Sequence, residues 1–144
     1  METKERIQKK AHELFLRYGI RSVSMDDIAT QLGMSKKTIY QFFSEKDELV
    51  NAVMDDEVTQ TQHDCEFCKK NAKDAVDEIF LTLDQLYDQF SQLNPMVLYD
   101  AEKFHPKAFE KFRKMKEVYL MEVVAHNMRR GIAEELYRAD ISVE

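Results

Sequence analysis

Apolar residues recur at helical spacing along the chain. No stretch alternates apolar and polar residues in the way a half-buried strand does. The longest apolar runs are about four or five residues, far short of the ~20 that span a bilayer. The pattern therefore predicts an all-α protein, and we expect no membrane partner. The first helix is predicted over residues 3–18, with its apolar face formed by Ile7, Ala11, Leu14, Phe15 and Tyr18.

Start and stop signals predict two short helices after the first one. Ser24 and Asp27 have the spacing of a capping box, which opens the second helix. Gly33 is expected to end that helix after about two turns. Ser35 is expected to cap a third helix over residues 36–43.

The remainder of the chain reads as longer helices. Ser44 and Asp47 are predicted to form a second capping box, which opens a fourth helix towards Cys65. Gly131 is expected to act as a helix terminator. Three further helices are predicted over residues 73–93, 95–104 and 106–130.

A helix, a tight turn and a short helix in this order form a helix-turn-helix. Ala29 is small enough to let the two helices cross closely, and Gly33 can adopt the positive φ that the turn requires. Ile39 fills the angle between the helices, and Phe43 is the second packing residue of the third helix. The third helix is too short to be stable alone, so it must be held by its neighbours.

Charge is distributed unevenly in this chain of net charge −6. Residues 1–50 carry nine Lys/Arg and eight Asp/Glu, whereas residues 51–144 carry 12 and 19. Only the amino-terminal third has a field that tolerates a polyanion. A helix-turn-helix used for protein contacts would expose an apolar face on the third helix. The side chains left outside here are instead those that suit a DNA major groove, Lys36, Lys37, Thr38, Tyr40 and Gln41.

Lys46 adds an independent argument for an anionic partner. It lies in the first turn of the fourth helix, where the helix dipole disfavours a cation by ~0.3–1 kcal/mol. A phosphate at that helix end would receive both the free amides and the ammonium. The alternative is that the neighbouring carboxylates of Glu45, Asp47 and Glu48 already offset this cation.

Two overlapping stretches, "RIQKKAHELFLRYGIRSVSMDDIA" and "SVSMDDIATQLGMSKKTIYQFFSEKDELV", resemble the TetR family of one-component transcription regulators. The resemblance implies a homodimeric repressor, not an enzyme, that binds palindromic double-stranded DNA and is released by a small apolar or amphipathic inducer. Two cysteines are too few for a disulfide framework, so we expect a reduced, cytoplasmic setting. The resemblance also implies base contacts from Lys36 and Lys37, and phosphate contacts from Thr38, Tyr40 and Lys46. The full set of predicted DNA-binding residues is Ser24, Ser35, Lys36, Lys37, Thr38, Tyr40, Gln41 and Lys46.

The resemblance also predicts how the chain is divided. Residues 1–46 are expected to form the DNA-binding domain, and residues 47–144 a partial ligand-binding and dimerisation domain. The family implies two more long helices after residue 144, which form the dimer through a four-helix interface. We therefore expect a bundle without its last helices and a dimer that is weaker or differently arranged.

Aromatic and methionine-rich helices in the second half can enclose an apolar pocket. For any single one of these side chains, an ordinary place in the core is the alternative interpretation. The predicted ligand-pocket residues are Phe80, Leu83, Tyr87, Phe90, Tyr99, Phe104, Phe112, Met115 and Tyr119.

A second class of function starts from the stretch "HDCEFC". His63, Cys65 and Cys68 offer soft ligands for zinc or a redox pair, which makes a metal- or thiol-dependent helical enzyme the alternative hypothesis. No fourth ligand lies nearby in sequence. Glu102 and His105 form half of a di-iron motif, without the second motif that such a site needs. We therefore expect neither a metal nor a cofactor.

Overall fold

The computed structural model describes residues 1–144 and contains no strand, so the predicted all-α fold is confirmed. No helix combines the length and the apolar character that crossing a bilayer requires. The helices are α1 (Thr3–Tyr18), α2 (Met25–Leu32), α3 (Lys36–Phe42), α4 (Lys46–Asn71), α5 (Ala75–Phe90), α6 (Met96–Phe104), α7 (Pro106–Lys114) and α8 (Leu120–Ala133), with a π-helical turn (Met115–Tyr119) before α8.

The chain divides into two compact units. Unit 1 consists of Met1–Glu57 and Gln92–Phe112, and unit 2 consists of Val58–Ser91 and Arg113–Glu144. Helix α6 therefore belongs with α1, α2 and α3, although it follows α5 in sequence. The division by function at residues 46 and 47 stays a prediction.

Local capping sets the ends of α2 and α3 in unit 1. The Ser24 hydroxyl accepts from the Asp27 amide at 3.0 Å, and the Asp27 carboxylate accepts from the Ser24 amide at 2.8 Å. The first predicted capping box is therefore present. Gly33 caps the end of α2 in the left-handed region. The Ser35 hydroxyl accepts from the Thr38 amide at 3.2 Å and so caps the start of α3.

The start of α4 differs from the predicted capping box of Ser44 and Asp47. Ser44 donates its amide and its hydroxyl to the carboxylate of Glu48, at 2.8 Å and 2.7 Å. The longer Glu48 side chain reaches back four residues and takes both donors, because the helix begins only at Lys46. The helix also runs on to Asn71, beyond the expected end.

Hydrogen bonds fasten α6 and the turn before it to the end of α1 within unit 1. The Asn94 amide donates to the carbonyl oxygen of Leu16 at 3.0 Å, and the Asn94 side chain donates to that of Arg17 at 3.2 Å. The buried carboxylate of Asp100 accepts from the amide of Arg21 at 3.0 Å. The loop between α1 and α2 therefore obtains part of its hydrogen bonding from a helix far away in sequence.

A partly buried ion pair joins α5 to α8 in unit 2. The Glu78 side chain is 3% exposed, and its carboxylate accepts from the Arg130 guanidinium at 2.9 Å. The Asn127 side chain donates to the same carboxylate at 3.2 Å and to the carbonyl oxygen of Ala75 at 2.8 Å. The partners matter because an unpaired buried charge is strongly destabilising.

The prediction that Gly131 terminates a helix was wrong. Gly131 lies inside α8, which continues to Ala133. A Cβ at this position would overlap with the ring of Tyr137, which folds back on the helix and donates its hydroxyl to Asn127 at 2.8 Å. The glycine is therefore needed for a close approach by the carboxy-terminal segment.

Helix α8 ends in a Schellman motif built on a residue other than glycine. The amide of Leu136 donates to the carbonyl oxygen of Gly131 at 2.9 Å, and the amide of Glu135 donates to that of Ile132 at 3.0 Å. Glu135 has φ 61°, a left-handed conformation that favours glycine.

The single helix predicted over residues 106–130 is interrupted. α7 ends at Lys114, and a π-helical turn precedes Leu120, whose amide donates to the carbonyl oxygen of Met115. A π turn accommodates one extra residue in the helix. The spacing of apolar residues did not reveal it.

Candidate nucleic-acid interface and ligand cavity

The turn between α2 and α3 depends on the backbone conformation of Gly33. Its φ is 66° and its ψ is 30°, and no atom lies within 4 Å of the place where a Cβ would be. Glycine is therefore favoured at this position by its left-handed backbone conformation, and not by a lack of space for a side chain. The amide of Met34 donates to the carbonyl oxygen of Ala29 at 2.9 Å and closes the turn.

Packing holds one face of α3 inside unit 1. Ile39 is fully buried, Phe43 is 1% exposed, and Ala29 on α2 is 4% exposed. A helix of seven residues has little stability of its own, so this buried face fixes its position. The opposite face of α3 is left at the surface.

Two polar residues of α3 are free to meet a partner. Lys37 and Gln41 are exposed, and neither side chain has a hydrogen-bond or ion-pair partner within the chain. They lie four residues apart and therefore point to the same side of the helix. A lysine and a glutamine so placed can donate to guanine and adenine edges in a major groove.

Lys36 has partners on the protein surface. Its ammonium lies 3.3 Å from the Asp26 carboxylate and 5.9 Å from the centre of the Tyr40 ring. Both members of the ion pair are exposed, so the pair contributes at most about 1 kcal/mol and a phosphate can compete for the cation. The sequence analysis missed Asp26, because an acidic residue in the first turn of a helix is already explained by the dipole.

The hydroxyl groups near α3 already serve as caps. The Ser35 and Thr38 hydroxyl oxygens lie 2.9 Å apart, and the Ser24 hydroxyl accepts from the Asp27 amide. Bonds from the amide and the hydroxyl of Ser24 lower the pKa of Asp27. The Ser24 hydroxyl donates its proton to the Asp27 carboxylate in this arrangement, so a phosphate oxygen has to compete with that carboxylate for it.

Lys46 is half-buried and turned inward. Its ammonium donates to the carbonyl oxygen of Ile20 at 2.6 Å and lies 5.9 Å from the centre of the Phe15 ring. Burial lowers its pKa, while the nearby carboxylates of Asp100 and Asp27 act in the opposite direction. To contact a phosphate, this ammonium has to leave the carbonyl oxygen of Ile20 or donate to both oxygens at once.

The sequence analysis did not include Phe42 among the side chains that α3 exposes. This large apolar side chain at the end of α3 is 37% exposed, beside the exposed Gln41. The sequence offered one signal, since Phe42 and Phe43 are adjacent and cannot both face the core of a helix.

Unit 2 contains a cavity of about 190 Å³ that is lined by both charged and apolar side chains. Two glutamates of its wall, Glu66 and Glu122, are exposed, and a third, Glu78, is buried and paired with Arg130. Burial raises the pKa of Tyr119, at one side of the cavity, to about 12. The lining residues are Cys65, Glu66, Lys69, Glu78, Tyr119, Glu122, Val123 and His126.

Of the nine predicted pocket residues, Tyr119 lines this cavity. Met115 is buried, and Phe90 and Phe112 are half-buried. The nine residues were predicted to line one pocket. In the structure, Tyr99, Phe104 and Phe112 belong to unit 1, and the other six residues belong to unit 2. The remaining five side chains are exposed at the surface, namely Phe80, Leu83, Tyr87, Tyr99 and Phe104.

The cysteine and histidine side chains do not come together in a common site. Cys65 and Cys68 are free and buried, and burial raises the pKa of Cys65 to about 11. No group of three or more His, Cys, Asp or Glu side chains lies close enough to hold a metal ion. His63 is exposed, and His105 binds the carboxylate of Asp47 at 2.8 Å. The alternative of a metal-dependent enzyme therefore has no support in the geometry.

Comparison with known proteins supports the resemblance noted in the sequence. The family model described as bacterial regulatory proteins, tetR family, matches residues 7–53. The chain is 34% identical over 92 residues to the HTH-type transcriptional regulator YvaF of Bacillus subtilis, which covers 61% of this chain and 47% of that protein. The chain thus spans about half the length of this curated relative.

Solved structures share the fold. A transcriptional regulator from Cytophaga hutchinsonii has a TM-score of 0.75 at 23% identity, over 94% of this chain and 70% of that one. The TetR family transcriptional regulator PfmR from Thermus thermophilus has a TM-score of 0.74 at 20% identity, over 96% and 76%. Both structures match nearly all of this chain, so the fold extends through both units.

Proposed function

We propose that this chain, whose amino-terminal helices are those of the tetR family of bacterial regulatory proteins, is a sequence-specific DNA-binding regulator of transcription. The observation that carries the proposal is the outer face of α3. Lys37 and Gln41 are exposed there without a partner, on a helix held by Ile39 and Phe43 behind it. Such a helix can enter the major groove with its side chains against base edges.

The contacts divide into two kinds. Lys37 and Gln41 are proposed to read bases, together with Lys36, whose surface ion pair is weak enough to be exchanged. Phosphate contacts are proposed from the hydroxyl groups of Ser24, Ser35, Thr38 and Tyr40 and from the ammonium of Lys46. The first kind gives sequence preference, and the second gives orientation and salt dependence.

A homodimer is proposed to bind a palindromic operator in the cytoplasm as a repressor. Two copies related by a two-fold axis place their recognition helices about one helical turn, ~34–36 Å, apart or a multiple of it. A small amphipathic inducer is proposed to bind unit 2, where the cavity combines charged side chains with Val123 and the ring of Tyr119. Its binding is proposed to favour a conformation with lower DNA affinity.

Selection of bound duplexes from a random DNA pool tests the function. The expected result is a palindrome whose half-sites are spaced by a helical turn. Lys37→Ala should then weaken the selected site by ~1–3 kcal/mol and relax the preference at one position of each half-site. Lys70→Ala removes the same charge from an exposed position of unit 2 and serves as the control. Recovery of no motif, with equal affinity for all duplexes at low salt, would contradict the proposal.

A further inference from the structure

The loop between α1 and α2 packs closely against α6 in unit 1. The amide of Arg21 donates to the buried carboxylate of Asp100 at 3.0 Å. A Cβ on Gly19, whose φ is 88°, would lie 3.2 Å from the same carboxylate and 3.5 Å from the Cβ of Met96. The loop therefore has a fixed place on α6, and so does the backbone from which the Arg21 side chain extends.

One aromatic ring of α6 lies close to two cations. Phe104 is 39% exposed, and the guanidinium carbon of Arg21 lies 4.9 Å from the centre of its ring. The ammonium of Lys103 lies 5.5 Å from the centre of the same ring and 5.7 Å from the centre of the Tyr99 ring. Cations are attracted to the faces of aromatic rings, so these rings hold two positive charges on one small surface. We call this surface the Phe104 patch, and it consists of Arg21, Tyr99, Lys103 and Phe104.

The two cations of the Phe104 patch have no carboxylate partner within the chain. The Asp100 carboxylate is buried and accepts from the backbone amide of Arg21, not from its guanidinium. Glu102 is exposed, but consecutive residues of a helix do not face each other, so it does not face Lys103. Two like charges held together without a counter-charge, in a chain of net charge −6, favour an anionic partner.

The Phe104 patch lies next to the groups that are proposed to bind phosphate. Lys46 donates to the carbonyl oxygen of Ile20, the residue directly before the arginine of the patch, at 2.6 Å. His105, the residue directly after the phenylalanine of the patch, lies 2.8 Å from the carboxylate of Asp47. Both the loop and the end of α6 therefore contact the first turn of α4. Lys103 belongs to the acidic part of the sequence, and only this packing brings it to the helix-turn-helix.

From these observations we infer that the Phe104 patch binds the sugar-phosphate backbone of the DNA duplex, beside the phosphates proposed for Ser24 and Lys46. The inference rests on the proposed function and adds Arg21 and Lys103 to it as phosphate contacts. A duplex carries one negative charge per ~1.7 Å of its axis, so a protein that meets the backbone at one point has further phosphates close by. Such contacts give affinity, orientation and salt dependence, and they carry no sequence information directly.

A double variant removes the two charges of the Phe104 patch. Arg21→Gln with Lys103→Gln keeps polar side chains, and both positions are exposed. The double variant should therefore keep the helical circular dichroism and the melting temperature of the wild-type chain. Phe104→Leu keeps both charges and removes the ring that lies between them. Lys70→Gln with Lys116→Gln removes two charges from exposed positions of unit 2 and is the matched control.

Titrations of the selected duplex and of a scrambled duplex, at several salt concentrations, measure affinity and salt slope. The double variant of the patch should bind both duplexes more weakly by the same factor, with a salt slope smaller by about two. Phe104→Leu should weaken binding by roughly 2- to 5-fold and leave the slope unchanged, because both charges remain. The unit 2 control should leave both the affinity and the slope unchanged.

Ethylation of single phosphates locates the contacts on the duplex. Ethylation removes the charge of a phosphate, so binding falls wherever the protein needs that phosphate. The double variant of the patch should lose this interference at some phosphates of each half-site and keep it at the others. Loss at no phosphate, together with an unchanged salt slope, would overturn the inference and leave the proposed function standing.

The ratio of the affinities for the two duplexes separates backbone binding from base reading. If the double variant changed this ratio, its side chains would act on base recognition, and the inference would be wrong. A wild-type chain with no affinity for either duplex at low salt would instead reject the proposed function, and the inference with it.

Discussion

The ammonium of Lys46 lies 2.6 Å from the carbonyl oxygen of Ile20, in the loop that joins α1 to α2. This contact joins the start of α4 to the loop that precedes the helix-turn-helix. The same ammonium is proposed to bind phosphate, so one cation is shared between an internal bond and DNA. Burial of the ammonium at this position lowers the pKa of Lys46, so the charged form loses part of its hydration there.

Lys46→Met is predicted to weaken binding to all duplexes and to reduce the salt slope by about one. The substitution keeps the apolar stem and removes the ammonium, so the free energy of unfolding should change little. Titrations of a fluorescent duplex at several salt concentrations measure the slope. An unchanged slope would show that Lys46 stays on Ile20 and does not contact phosphate.

Gly33→Ala is predicted to lower the free energy of unfolding by about 1–2 kcal/mol, because the methyl group meets no atom but the left-handed backbone becomes strained. Gly33→Asn should cost less, since asparagine tolerates this conformation. Urea unfolding followed by circular dichroism measures both. Gln31→Ala, exposed on α2, is the matched control and should stay within about 0.5 kcal/mol of the wild-type chain. Equal costs for alanine and asparagine would contradict the conformational argument.

Glu135→Gly is predicted to stabilise the chain by about 0.5–1 kcal/mol, because it relieves a positive φ of 61°. Ala133→Gly, at the last residue of α8, should instead destabilise by about 0.5–1 kcal/mol. The two glycine substitutions lie two residues apart and are measured by the same thermal unfolding experiment. Changes of the same sign would show that the Schellman motif does not govern this helix end.

Gly131→Ala is predicted to destabilise by about 2 kcal/mol, because its methyl group displaces the Tyr137 ring and breaks the bond to Asn127. In a Tyr137→Ala background the same substitution should cost nothing, or gain helix propensity. A double-mutant cycle from chemical unfolding gives the coupling energy. Additive effects of the two substitutions would mean that the ring is not what requires the glycine.

Stability is predicted to fall as the pH rises above 9, because of Cys65. Burial raises the pKa of this thiol from 9.0 to about 11, so the folded state holds a proton that the unfolded state has lost. The contribution of the protonated Cys65 thiol to the free energy of unfolding is fully present below pH 9.0. Between pH 9.0 and pH 11 this free energy falls by about 2 kcal/mol. Tyr119, raised from 10.0 to about 12, acts in the same direction at higher pH. Cys65→Ala should flatten the curve of unfolding free energy between pH 9 and 11; an unaltered curve would assign the loss to other groups.

The amino-terminal helices were predictable because their signals are local. Ser24 and Ser35 cap helices through residues three positions away, and Gly33 has a conformation that few other residues adopt. Each signal lies within one turn of the helix end it sets. The buried positions of Ile39 and Phe43 also follow from helical spacing around a turn of known form.

Features that depend on tertiary contacts were not predictable. Gly131 looked like a helix terminator, because no sequence pattern around it indicates that the ring of Tyr137 packs against it. Phe80, Leu83 and Tyr87 of α5 have the spacing of a buried face but are exposed, and spacing alone does not distinguish a buried face from an exposed one. The hydrogen bond from the Arg21 amide to the Asp100 carboxylate joins residues 79 positions apart, and no sequence spacing indicates it.

The fastening of α6 to the end of α1 limits what can be transplanted. A fragment that stops at Glu57 would keep every residue proposed to read bases, but it would lose Asn94 and Asp100. The Arg21 amide would then have no acceptor in the fragment, and the loop that supports α2 would be less well held. A chimaeric regulator that borrows this chain's operator preference should therefore carry Gln92–Phe112 along with the first 57 residues, as a two-piece graft.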